Sequence, residues 1–147
     1  MLANDRWRDN WRTLSSQPKE TACVDIGRSR AQRVAAKRMV TGLRPGVPVV
    51  LRASAPAATA RCRRFAAEAG IQVEREYLAF PSAAAPAYLV EDAPAPVREF
   101  VRSVLVAPPG APFSTAIEAC LGILRASNTW LLIRAFAPGG VLVGRRA

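Results

Sequence analysis

Between Ser29 and Gly70 a short run that is apolar on both faces stands between two stretches of helical spacing, a pattern that leaves few architectures open. Residues 47–53 (VPVVLRA) are β-branched and apolar on both faces, as in a strand covered on both sides. Before them, residues 29–40 (SRAQRVAAKRMV) repeat Ala31, Val34/Ala35 and Arg38/Met39 at helical spacing, and Gly42 offers a stop. After them, Pro56 is placed to open a helix at its first turn, with Ala58, Cys62, Phe65, Ala66 and Ala69 on one side and Gly70 at its end. Helix, strand and helix in this order predict an α/β domain.

The remaining segments extend the pattern. Residues 71–80 (IQVEREYLAF) begin by alternating, with Ile71 and Val73 opposite Gln72 and Glu74, and read as a strand. Residues 87–91 (AYLVE) read as a second strand, after Pro81-Ser82 and Pro86 punctuate the connection. Val97, Phe100/Val101 and Val104/Leu105 predict a helix after Pro94 and Pro96, which Pro108-Pro109-Gly110 ends. A capping box from Thr115 to Glu118 starts another helix, carrying Ile117, Cys120, Leu121 and Leu124. Residues 130–136 and 141–144 read as two apolar strands joined by Ala137-Pro138-Gly139-Gly140. The expected fold is a small open, mostly parallel α/β sheet with flanking helices and a C-terminal β-hairpin. The expected division is an amphipathic arm and linker over residues 1–18 and a single basic domain over 19–147.

Charge narrows the partners. The 147 residues carry 21 Lys+Arg against 11 Asp+Glu, a formal net charge of +10. Residues 1–73 hold 14 of the basic and 5 of the acidic side chains, so the basic face belongs to the first half. Two cationic patches result, Arg28, Arg30, Arg33, Lys37 and Arg38 in one and Arg52, Arg61, Arg63 and Arg64 in the other. Solvated helix faces account for such runs, and so do anionic lipid, an acidic protein surface or nucleic acid. The basic segments from Lys19 to Arg64 contain no aromatic side chain for base stacking, which places nucleic acid behind the other two. In the arm, Trp7, Trp11 and Leu14 share one helical face flanked by Arg6, Arg8 and Arg12, a composition that suits a membrane surface, a protein interface or packing within the chain.

The same inventory limits the chemistry. No histidine is present, which excludes histidine-dependent triads and histidine-containing metal sites. Cys23, Cys62 and Cys120 lie far apart without metal spacing and suit a reducing compartment. Glu74/Glu76 and Glu91/Asp92 are the paired carboxylates that acid/base work could use, the first pair on one strand face, but solvated strand and turn charges explain them as well. Ser82 and Ser114 have only Lys19 or Lys37 as conceivable bases.

Gly42-Leu43-Arg44-Pro45-Gly46 before Val49-Val50-Leu51, and Ala69-Gly70-Ile71 before the next strand, resemble a stretch of the class I S-adenosylmethionine-dependent methyltransferases. In that family an LxPGG turn leads into the fifth strand and an AGF turn into the sixth. Tyr77-Leu78-Ala79-Phe80-Pro81-Ser82, Pro86-Ala87-Tyr88-Leu89-Val90 and the closing Val141-Leu142-Val143-Gly144-Arg145-Arg146 are similar to the back half of some bacterial members. The resemblance covers roughly residues 37–91 and 138–146 and implies a truncated, Rossmann-like fold. It departs at Gly46, which Val47 follows in place of a second glycine. The family's glycine-rich cofactor loop and its acidic partner lie upstream of the matched stretch. Cys23-Val24-Asp25-Ile26-Gly27 resembles the strand before that loop, yet Arg28-Ser29-Arg30 stands where further glycines would be needed.

These readings converge on a non-catalytic, cofactor-free accessory subunit, cytoplasmic and peripheral at the inner face of a bacterial membrane. Its expected partner is a larger assembly with an acidic surface, such as a photosynthetic or respiratory complex. A methyltransferase needing a partner for its missing half is the alternative, and a nucleic-acid-binding protein is the third.

Overall fold

The apolar run after Gly46 forms the strand that the rest of the chain is built on. A computed structural model of the chain describes residues 21–104, 115–116, 118–119, 122–123 and 129–147. Strand β1 (Ala22–Asp25) leads to helix α1 (Arg30–Thr41), strand β2 (Pro48–Ser54), helix α2 (Ala58–Ala69), strand β3 (Ile71–Phe80), strand β4 (Tyr88–Glu91) and helix α3 (Pro94–Ser103). Helix α4 (Thr129–Phe136) and strand β5 (Gly139–Arg146) close the chain. Thr115, Ala116, Glu118, Ala119, Gly122 and Ile123 are helical as well, where the capping box predicts a helix, while Ile117, Cys120, Leu121 and Leu124 lie outside the described residues.

The local signals act as their chemistry dictates. Ser29 caps α1 by accepting from the Gln32 backbone at 3.1 Å, and the Gln32 side chain returns to the Ser29 N–H, so two orphan donors of the first turn are satisfied. Gly70 ends α2 with a left-handed backbone (φ 64°) that an L side chain rarely adopts. Pro56 is not the first residue of α2 as expected. It follows a cis bond, and the helix starts two residues later, after Ala57 has taken φ 52°.

The sheet is open and five-stranded, in the order β1-β2-β5-β3-β4. It is mixed and not mostly parallel. Among the described strands only β1 and β2 pair in parallel, whereas β5 runs antiparallel to both β2 and β3, and β4 antiparallel to β3. The expected terminal hairpin is absent, because residues 129–136 form α4 and β5 enters the sheet alone between β2 and β3. The cause is visible on α4, where Trp130, Ile133 and Arg134 turn inward at i, i+3 and i+4, with the buried Ala137 directly after the helix.

Three apolar clusters hold these layers. Under α1 and α2, Val24, Val49, Leu51 and Leu142 pack with Val40, Cys62, Phe65 and Ala66. On the opposite pleat, Val50, Tyr77, Ala79, Val141 and Val143 pack with Ala83. Toward β4, Leu78 and Val90 are covered by Val97, Phe100 and Val101 of α3, with Trp130 and Ile133 of α4 against them. Leu142 is fully buried at the middle of β5, so the last strand joins the two halves of the domain.

Candidate functional site

The structure divides the nine basic candidates of the domain into two kinds. Four are consumed by the fold. Arg52 grips Asp25 across the parallel pair with two bonds of 2.8 and 2.7 Å, Nε to Oδ1 and Nη2 to Oδ2. Arg61 donates to the Ser54 and Ile26 carbonyls at 2.9 and 2.6 Å, which ties the start of α2 to the carboxyl ends of β2 and β1. Arg63 Nε donates to both Glu76 oxygens at 2.7 Å, a bond that raises the Arg63 pKa further. Arg28 donates to the Ala55 carbonyl.

The other five stay available. Arg30, Arg33, Lys37 and Arg38 on α1 and Arg64 on α2 are exposed and have no ion-pair partner among the described residues. Arg30, Arg33 and Lys37 recur at i, i+3 and i+7 and so share one side of α1. Arg33 lines a hollow of about 50 Å³ together with Arg61, Arg64 and Glu68 of α2. What reads as two patches along the chain is one face across the α1/α2 layer, with Arg38 turned away from its centre. The arm residues Arg6, Trp7, Arg8, Trp11, Arg12 and Leu14 lie outside the described residues.

The candidate acid/base pairs separate. A register shift between Val73 and Arg75 interrupts the alternation of β3, and the two carboxylates go to different partners, Glu74 to Arg145 at 2.6 Å and Glu76 to Arg63. Glu91 is exposed, while the Asp92 side chain is completely buried. Trp130 Nε1 donates to Asp92 Oδ1 at 2.8 Å, and Arg134 Nε stands 3.1 Å from Oδ2 without the alignment of a hydrogen bond. Ser82 accepts from the Ala85 backbone at 3.1 Å as a turn residue does.

Two surfaces had no signal strong enough to be read in the sequence. The first is a groove of about 420 Å³ beside edge strand β1, lined by Cys23, Val24, Asp25, Gly27 and, from α1, Gln32, Ala35, Ala36 and Met39. Helix α1 buries only Ala36 and Val40, so Val34 and Met39 remain exposed. The second is the outer side of α4, where Leu131, Leu132 and Phe136 are exposed.

Burial sets the cysteine chemistry. Cys62, under α2, is fully buried, and desolvation pushes its thiol up to about 12 from 9.0, the Arg61 charge opposing only in part. Cys23 is raised in the same direction, mainly by desolvation. The folded thiol therefore holds its proton where the unfolded one loses it. Its stabilisation is complete below about pH 9 and declines as pH rises toward 12. Urea titrations across that window should show the wild type losing stability more steeply than Cys62→Val. Parallel curves would mean that the thiol ionises equally in both states.

The chain matches no family model, no curated protein and no solved structure.

Proposed function

We propose that this chain is a non-catalytic accessory subunit that docks, by the basic face of α1 and α2, on the acidic surface of a larger membrane-associated assembly. The observation that carries this reading is the division of the arginines. A domain needing positive charge only for its own ion pairs would use it up, yet Arg30, Arg33, Lys37 and Arg64 are exposed on one face and have no ion-pair partner among the described residues. Such a face speeds association with anionic surfaces and does little for the fold. In this reading the face of Trp7, Trp11 and Leu14, with Arg6, Arg8 and Arg12, joins the same contact. No helix among the described residues is long and apolar enough to cross a membrane, so the attachment is peripheral in this reading.

The test is the triple variant Arg33→Glu/Lys37→Glu/Arg64→Glu, followed through purification of membranes in mild detergent. These side chains have no ion-pair partners among the described residues to lose, so the stability should stay within about 0.5 kcal/mol per site of the wild type. Retention on the assembly should be lost, and wild-type retention should itself fall as salt rises. Retention of the triple variant, or salt-insensitive retention of the wild type, would refute the reading. A preference for nucleic acid over anionic vesicles and acidic complexes at matched ionic strength would favour the nucleic-acid alternative.

A second reading, a methyltransferase that needs a partner, is favoured by the open outer edge of β1 beside its groove. A partner supplying the cofactor half would extend the sheet there. Calorimetry with S-adenosylmethionine discriminates: micromolar binding to the isolated chain would overturn the non-catalytic reading.

A further inference from the structure

Helix α4 is built inside out. Its one charged side chain, Arg134, points inward to the buried Asp92, and its cation lies 5.4 Å from the centre of the Trp130 ring. Among its described side chains, those left outward are Leu131, Leu132, Ala135 and Phe136, none of them polar. Leu131 is 52% exposed, Leu132 44% and Phe136 81%. Ile123, helical and earlier in the chain, is 70% exposed as well. A surface helix ordinarily turns its polar side to water. An apolar side left outward marks an interaction site.

We propose that this outward face is a second membrane contact, seated at the boundary between the headgroups and acyl chains of an anionic bilayer. The inference rests on the reading that the chain works at a membrane surface, and it assigns to α4 a contact separate from the basic face of α1 and α2. Three observations select lipid. Charge is the first: each copy carries +10, so a second copy is repelled where an anionic bilayer is attracted. The surroundings are the second, because Arg98 and Arg102 of α3, which packs against α4, are exposed and have no ion-pair partner among the described residues. In this proposal they and not the exposed Glu99 between them meet the lipid phosphates, while Leu131, Leu132 and Phe136 enter the acyl boundary, as in an interfacial helix. Rigidity is the third: Trp130 and Arg134 are both held by Asp92, so the face is organised before it meets its target.

The experiment is co-sedimentation with vesicles of phosphatidylcholine alone or mixed with phosphatidylglycerol, using the wild type and Leu132→Asp/Phe136→Asp. Thermal melts and sedimentation velocity of both proteins accompany it. The proposal expects the wild type to bind the mixed vesicles, the double variant to lose at least about tenfold in affinity, and both to melt alike as monomers. Equal binding by the double variant would overturn the α4 contact while leaving the basic-face reading intact. No vesicle binding by the wild type would overturn the proposal and point to a protein surface alone. A large drop in melting temperature would show that the chain itself covers this face. A dimer that the substitutions dissociate would assign the face to a second copy. Each of these last two results would also overturn the proposal.

Discussion

Asp92→Ala should lower the stability of the domain by about 3–5 kcal/mol, the usual consequence of leaving a buried charge without its partner. Asp92 follows β4 directly, where its backbone N–H donates to the Glu76 carbonyl at 2.9 Å, and its side chain is completely removed from water. It accepts from Trp130 and faces Arg134, with Arg63 of α2 3.6 Å away. The alanine variant therefore strands the Arg134 guanidinium, only 23% exposed, and a part-buried indole N–H. Asp92→Asn keeps an acceptor for Trp130 and should lose less. For a domain of this size the alanine variant should melt on the order of 10 °C lower. Urea denaturation checks the ordering, and a loss under about 1 kcal/mol for Asp92→Ala would show that the cluster is not stabilising. Because Asp92 is what fixes α4, the variant should also bind vesicles less well than its residual fold would suggest.

That cluster also shows where the sequence stops informing. The strand over residues 71–80 is legible to the residue, because β-branched and aromatic side chains lie between Gly70 and Pro81. Helix α1 is legible from its helical spacing and the Gly42 stop, and β2 lies within one residue of its expected place. Residues 130–136 are not legible. WLLIRAF is apolar almost throughout, and an apolar run of seven satisfies a strand and a buried helix equally. The arginine that would mark the wet side of an ordinary helix lies on its dry side, paired with a residue 42 positions earlier in the chain, a link only the fold reveals. Strand direction is equally hidden. Nothing local in GGVLVGRR says that it enters between β2 and β3, and a short strand with two open edges would read the same.

The basic candidates repeat the lesson at the proposed docking face. All nine look alike as sequence, and only contacts 7 to 35 residues apart in the chain separate those that hold the fold from those that face outward. Arg52 is neutralised by Asp25 because the parallel register sets the two side by side. Arg33 and Arg64 are neighbours because α1 and α2 cover the same side of the sheet. The proposed docking face is thus a remainder: what is left after the structural ion pairs have been made.

Adding one methyl group at Gly144 should destabilise the domain by roughly 2–4 kcal/mol, whereas the same change at Gly122 should leave it unchanged or up to about 1 kcal/mol more stable. A Cβ at Gly144 would stand 2.3 Å from the Gln72 carbonyl oxygen and 2.9 Å from Ile71 Cγ2. The oxygen belongs to the backbone of β3, so no rotamer relieves the clash and the strand itself must move. Gly144 also pairs with Val73, immediately before the register shift, and β5 is the strand through which β2 and β3 are joined. Displacing β3 there weakens the ladder that holds the α1/α2 half to the α3/α4 half. At helical Gly122 nothing lies within 4 Å of the added carbon, and alanine only reduces the freedom of the unfolded chain. Equilibrium unfolding of Gly144→Ala and Gly122→Ala side by side tests the pair. Equal midpoints would show that β3 yields at no cost, and would contradict the close approach of the two strands on which the continuity of the sheet depends.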